Sequence, residues 1–134
     1  EYNKSAIDCP ARILVMDDEQ MIREIASEML QAAGCQVETA TDGKEAIEKY
    51  KESMHSDNPF DLVIMDLTVP GGMGGEEAIK ELLELDPNAK AIVSSGYSHG
   101  ALQSRYVEYG FVGMVLKPYN MEALLKVVQR VLAE

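Results

Sequence analysis

Basic residues are scarce in this sequence: 12 Lys and Arg stand against 23 Asp and Glu, for a formal net charge of −11. A surface that neutralises nucleic-acid phosphates needs clustered Lys and Arg, so no nucleic-acid partner is expected. Long apolar runs are lacking too. The longest, at residues 13–16 and 62–65, are strand-sized and far below the ~18 residues that cross a bilayer. No membrane contact by this domain is therefore expected. Residues 1–10 contain no apolar stretch of the kind a secretory signal carries and are read as a linker. The chain opens on Glu1, not Met, which suggests a piece of something longer. Of two cysteines, Cys35 stands where a strand should begin and is expected to be small and buried. Together with Cys9 it makes no metal or redox motif, and a disulfide between them is not expected. The domain is read as cytoplasmic.

What is present suits one globular domain over residues 11–134. Of 134 residues, 46% are hydrophobic and 26% charged, enough for a buried core. Short apolar runs alternate with amphipathic stretches. Residues 12–16 read as a strand buried on both faces. Residues 19–33 follow as a helix, with Met21, Ile22, Ile25, Met29 and Leu30 at helical spacing and Gly34 as its stop. A strand at 36–40 precedes a helix at 44–54, capped by Thr41 or Asp42, with Ala46, Ile47 and Tyr50 inward. Strands are expected at 61–65, 91–95 and 111–116. Helices are expected at 75–85, at 98–109 and after Asn120. Five strand–helix units imply an α/β fold: a doubly wound five-stranded parallel sheet with right-handed crossovers and helices on both faces.

In such sheets ligands bind beyond the carboxyl ends of the strands. Strand one ends in Asp17-Asp18, strand three in Asp66, strand four in Ser94-Ser95 and strand five in Lys117-Pro118. Crowded carboxylates repel and rise in pKa unless a cation intervenes. Mg²⁺ suits them, because it takes oxygen ligands and needs only one or two carboxylates. Asp18 and Asp66 could bind it directly, Asp17 directly or through water, and the backbone carbonyl of Thr68 could complete the protein's share. The Asp66 carboxylate can then attack phosphorus to form an aspartyl phosphate. Lys117 and a hydroxyl from Ser95 or Ser94 would neutralise the equatorial oxygens. Taken singly, each residue has a commonplace role as a helix cap, a turn residue or a solvated lysine. Their joint placement at one edge makes the functional reading the stronger one.

The pattern resembles the receiver domain of two-component response regulators. The likeness rests on the acid pair in residues 13–19, the acceptor strand 61–66, the loop 67–75, the strand end Val93-Ser94-Ser95-Gly96 and Lys117-Pro118. It spans nearly the whole chain from Ala11. It implies a flavodoxin-like sheet of order 2-1-3-4-5 and a cis Lys117–Pro118 peptide. It also implies Mg²⁺ as cofactor and phosphorylation of Asp66 by a histidine kinase or phosphotransfer domain. The domain would catalyse its own phosphorylation and slow dephosphorylation without being a kinase. The family's hydroxyl residue falls on Ser95, which lies 22 residues before Lys117 and is followed by Gly96; Ser94 is the fallback. In the family, the positions that Thr68 and Tyr97 occupy flank the phosphate site. The family's switch pairs that hydroxyl with an aromatic ring three residues before the lysine. Here Met114 stands in that place, so the switch is assigned to Ser95 and Met114. A homodimer through helix four, strand five and helix five is an expectation of the same kind. The loop 67–75 looks like those of receivers attached to sensor histidine kinases. Together with the lack of a DNA-binding segment after Glu134, it favours a hybrid kinase, with a free-standing regulator as the alternative.

Other classes fit less well. Haloacid-dehalogenase-type phosphatases share the strand-end Asp and Mg²⁺ but need a second Asp two positions on, where Thr68 stands. Gly71, Gly72, Gly74 and Gly75 do not match a phosphate-binding loop, since Gly43-Lys44 is followed by Glu45 and no dinucleotide spacing occurs. They are read as a tight loop using positive φ. His55 and His99 lack metal-ligand spacing. A phosphate-independent interaction module is not needed when the acids, hydroxyl and lysine are all present.

Overall fold

The structure, a computed structural model, describes residues 11–96 and 105–134. Five strands and five helices alternate: β1 Arg12–Met16, α1 Gln20–Ala32, β2 Gln36–Ala40, α2 Gly43–Met54, β3 Leu62–Asp66, α3 Gly75–Leu85, β4 Ala91–Ser95, α4 Tyr106–Tyr109, β5 Gly113–Leu116 and α5 Met121–Ala133. The sheet is parallel throughout and ordered β2-β1-β3-β4-β5, as expected.

Period-two alternation divides the core into two layers. Leu14, Met16, Val63, Met65 and Val93 face one side and pack with Ala46 and Tyr50 of α2 and with Ala78, Ile79 and Leu82 of α3. Ile13, Val15, Leu62, Ile64 and Ile92 face the other, against Ala26 and Leu30 of α1 and Leu124, Val128 and Val131 of α5. All of β3 and β4 is buried, which is why these segments read as unbroken apolar runs. Each such aliphatic side chain contributes roughly 1.5–3 kcal/mol by leaving water.

Local chemistry sets the helix starts. Asp42 caps α2 by accepting from the Glu45 N–H at 2.9 Å, and Glu45 accepts in return from the Thr41 N–H at 2.7 Å. Asn120 caps α5 through the Ala123 N–H at 3.0 Å. Two expectations are corrected and a third is met only in part by the described residues. Met21 is 70% exposed and Ile25 is exposed as well; the buried stripe of α1 runs through Ala26 and Leu30, because the inward face has rotated past those two positions. Strand β5 begins at Gly113, since Phe111 is still closing α4 with its N–H on the Tyr106 carbonyl. Of the helix read over 98–109, Tyr106–Tyr109 is helical, and residues 97–104 lie outside the described residues. No helix among the described residues is long and apolar enough to cross a membrane.

The loop between β3 and α3 is held by close backbone contacts. A Cβ at Gly74 would stand 2.5 Å from the Leu67 carbonyl and 2.8 Å from Thr68 Cα, and one at Gly75 would stand 2.8 Å from the Asp66 carbonyl. The Gly43 N–H also donates to the Met73 carbonyl at 2.7 Å, tying the loop to α2. The sequence reading of this loop is therefore only partly right. Among its glycines Gly71 alone has positive φ, at 78°, while Gly74 and Gly75 are required for close approach.

Candidate functional site

The strand ends bring the sequence-predicted residues together. Register pairs Met16 with Met65, Asp66 with Ser94 and Ser95 with Leu116, so the residues at or just past these strand ends share one edge. Asp17, Asp18 and Asp66 each place a carboxylate oxygen within 4.8 Å of the others. Asp17 is 0% and Asp66 5% exposed, whereas Asp18 faces solvent. Lys117 Nζ lies 2.8 Å from Asp17 Oδ2 and 3.1 Å from Asp66 Oδ1, so one ammonium bridges two buried acids.

Electrostatics follow from that packing. Burial, then repulsion from Asp17, pushes the Asp66 carboxyl up to about 6; Lys117 offsets part of this and Asp18 adds to it. Burial opposes the charge on Lys117, but its hydrogen bonds and attraction to Asp17 and Asp66 outweigh it, and its pKa is raised. Three carboxylates against one ammonium leave a formal excess of two negative charges. Apart from that ion pair, Asp17 Oδ2 is buried with no well-directed hydrogen-bond partner among the described residues. An all-oxygen set with spare acceptor capacity and a twofold charge excess fits a hard divalent cation such as Mg²⁺. Thr68, in the clamped loop two residues past Asp66, is exposed.

The two serines of β4 are both buried and differ in their partners. Ser94 Oγ lies 2.7 Å from Tyr119 Oη, while among the described residues Ser95 Oγ makes a 3.3 Å bond to the Gly96 carbonyl. They point to opposite faces. Ser94 looks toward the α1–α5 layer, where Tyr119 packs, and Ser95 shares the face of Val93. Met114 pairs with Val93 and lies half-buried against the same layer. The Lys117–Pro118 peptide is cis, as expected.

Sequence reasoning missed Tyr119 and Arg23. Arg23 Nη1 donates to the Asp17 carbonyl at 2.8 Å and braces the acid turn. Its place six residues after Asp17, on the first turn of a helix that packs beside β1, was the available signal. For Tyr119, in the connection between β5 and α5, there was none, because its hydroxyl partner lies 25 residues away on β4.

Comparison with known proteins agrees with this geometry. Residues 13–129 match the response regulator receiver domain family. The chain is 36% identical over 121 residues to the chemotaxis protein CheY of Thermotoga maritima, covering 90% of this chain and 96% of that protein. It is 33% identical over 122 residues to the chemotaxis protein CheY of Bacillus subtilis, covering 90% and 97%. The solved structure of chemotaxis protein CheY4 of Vibrio cholerae superposes with a TM-score of 0.79 at 33% identity, covering 92% of this chain and 99% of that one. With the strand order, the acidic edge and the bridging lysine all in place, the chain belongs to the response regulator receiver domain family.

Proposed function

We propose that this domain accepts a phosphoryl group on Asp66 in a Mg²⁺-dependent reaction and so carries a two-component signal. The observation that supports this most directly is the Lys117 ammonium shared between Asp17 and Asp66 at the strand ends. Asp17, Asp18, Asp66 and the Thr68 carbonyl would hold the cation. When bound, Mg²⁺ supplies positive charge to offset both the acids and the phosphoryl oxygens. An Asp66 oxygen attacks phosphorus, the bond from phosphorus to the donor's histidine nitrogen breaks, and that nitrogen leaves with its electron pair. Lys117, tethered by Asp17, meets a second phosphoryl oxygen, and the Ser95 hydroxyl meets a third. Repositioning of Ser95 then reaches Met114, which shares its face of the sheet, and carries the change toward α4.

Receiver domains act with histidine kinases or phosphotransfer proteins, and that partner class is proposed here. The α4–β5–α5 face, where Val107 is 68% exposed, is the proposed homodimer surface. The domain is taken as residues 11–134 with 1–10 as linker, working in the cytoplasm. The loop 67–75 supports a place within a hybrid kinase. The match over nearly the full length of the two chemotaxis proteins supports the alternative of a self-contained receiver.

Acetyl phosphate or beryllofluoride with Mg²⁺, followed by mass spectrometry, tests the acceptor. A hydroxylamine-labile adduct on Asp66, absent from Asp66→Ala, is the expected result. An adduct elsewhere would overturn it. Sustained turnover of a phosphomonoester would favour a phosphatase instead.

A further inference from the structure

The tip of β4 anchors both halves of the site. The Leu67 N–H, next to the acceptor, donates to the Ser94 carbonyl at 3.2 Å, and the Lys117 N–H donates to the Ser95 carbonyl at 2.8 Å. A third tie comes from beyond the lysine. Tyr119, two residues on, brings its hydroxyl to 2.7 Å from Ser94 Oγ. Ser94 is also the register partner of Asp66. The segment carrying Lys117 is thus fastened to β4 on both sides of the cis peptide, and its second fastening ends on the residue abreast of the acceptor. Burial pushes the Tyr119 phenol up to about 12, so it keeps its proton at neutral pH and the pair stays a neutral hydrogen bond.

We propose that the Ser94–Tyr119 hydroxyl pair is a positioning device that holds the Lys117 ammonium over Asp66 for phosphoryl transfer. Lys117 has a flexible four-carbon stem, and its ammonium must meet two acids at once. Fixing its backbone on both sides limits the directions open to that stem. Ser94 touches neither the phosphoryl group nor the cation; it acts through Tyr119 and Lys117. This rests on Asp66 being the acceptor.

Two measurements test the device on the intact chain. The first is the Asp66 phosphorylation rate at saturating acetyl phosphate and Mg²⁺. Tyr119→Phe and Ser94→Ala should each slow it about 5-fold, as the loss of one hydrogen bond would. The double variant should be no slower than either single one. Ser94→Thr, which keeps the hydroxyl, should restore the rate, and Mg²⁺ affinity should stay unchanged in all of them. The second is proton exchange at the Lys117 ammonium by ¹⁵N NMR, which needs no phosphorylation. It should quicken in both single variants. A merely structural pair would lower the urea midpoint and move neither rate nor exchange, and that result would overturn the proposal. Additive losses, or a parallel loss of Mg²⁺ affinity, would overturn it too. Should Tyr119→Phe fail to fold, Ser94→Ala carries the test. Absence of Asp66 phosphorylation in the unaltered protein would instead overturn the acceptor reading itself.

Discussion

Asp66 holds its proton more tightly in the fold than out of it. Its carboxyl rises from 3.8 to about 6, driven first by burial and then by Asp17. An acid whose folded pKa exceeds its unfolded value costs stability once ionised. On its account stability falls as pH rises between about 4 and about 6 and stays level above, a loss on the order of 2 kcal/mol. Asp66→Asn should therefore raise the unfolding free energy of the metal-free protein, measured by urea titration at pH 7.5, by about 1–2 kcal/mol, and the gain should vanish at pH 4. An equal difference at both pH values would refute this account. Mg²⁺ should stabilise the unaltered protein at pH 7.5, where Asp66 is charged. Asp18→Ala, which removes the solvent-facing acid, should weaken Mg²⁺ binding by about 10-fold or more in calorimetry. Unchanged affinity would remove Asp18 from the ligand set. The acids, serines and lysine were legible because each ends a strand, and strand ends follow from apolar runs. Tyr119 was not legible, because its contact depends on how the connection after β5 is laid against β4.

At the scale of elements, the β3–α3 loop is fixed by backbone proximity more than by side chains. Gly74→Ala would drive a methyl group into the Leu67 carbonyl and Thr68 Cα. The loop must then shift, taking the Thr68 carbonyl with it. We expect a stability loss of about 1–3 kcal/mol in urea titrations, together with weaker Mg²⁺ binding. Gly71→Ala meets no atoms and is strained only by its positive φ, so it should cost about 1 kcal/mol and leave Mg²⁺ affinity unaltered. The glycine cluster was plain in the sequence; the division of labour within it was not, since composition does not reveal which glycine meets another backbone. Helix α1 teaches the same lesson differently. Its apolar residues gave the helix correctly, but Met21 and Ile25 lie outward, because periodicity finds a stripe without fixing which edge of it meets the sheet. The caps at Asp42 and Asn120 were readable because capping is local.

At the scale of the whole molecule, five strand–helix repeats and right-handed crossovers were enough to read a parallel, doubly wound sheet, while its strand order came from the resemblance to receiver domains. Conformational change should be uneven across it. With beryllofluoride and Mg²⁺, amide exchange should change at residues 105–116 and remain steady in the buried strands β1 and β3. An unchanged 105–116 segment would remove Met114 from the signalling route. The two serines at the tip of β4 add a further consequence. Because neighbours on a strand face opposite ways, a single peptide step separates a hydroxyl bonded to Tyr119 on the α1–α5 side from one on the side of Val93 and Met114. On the proposed reading the tip is a fork: substitutions on one branch would retune how the site is held, and on the other how its state is broadcast, with neither change passing through the acids.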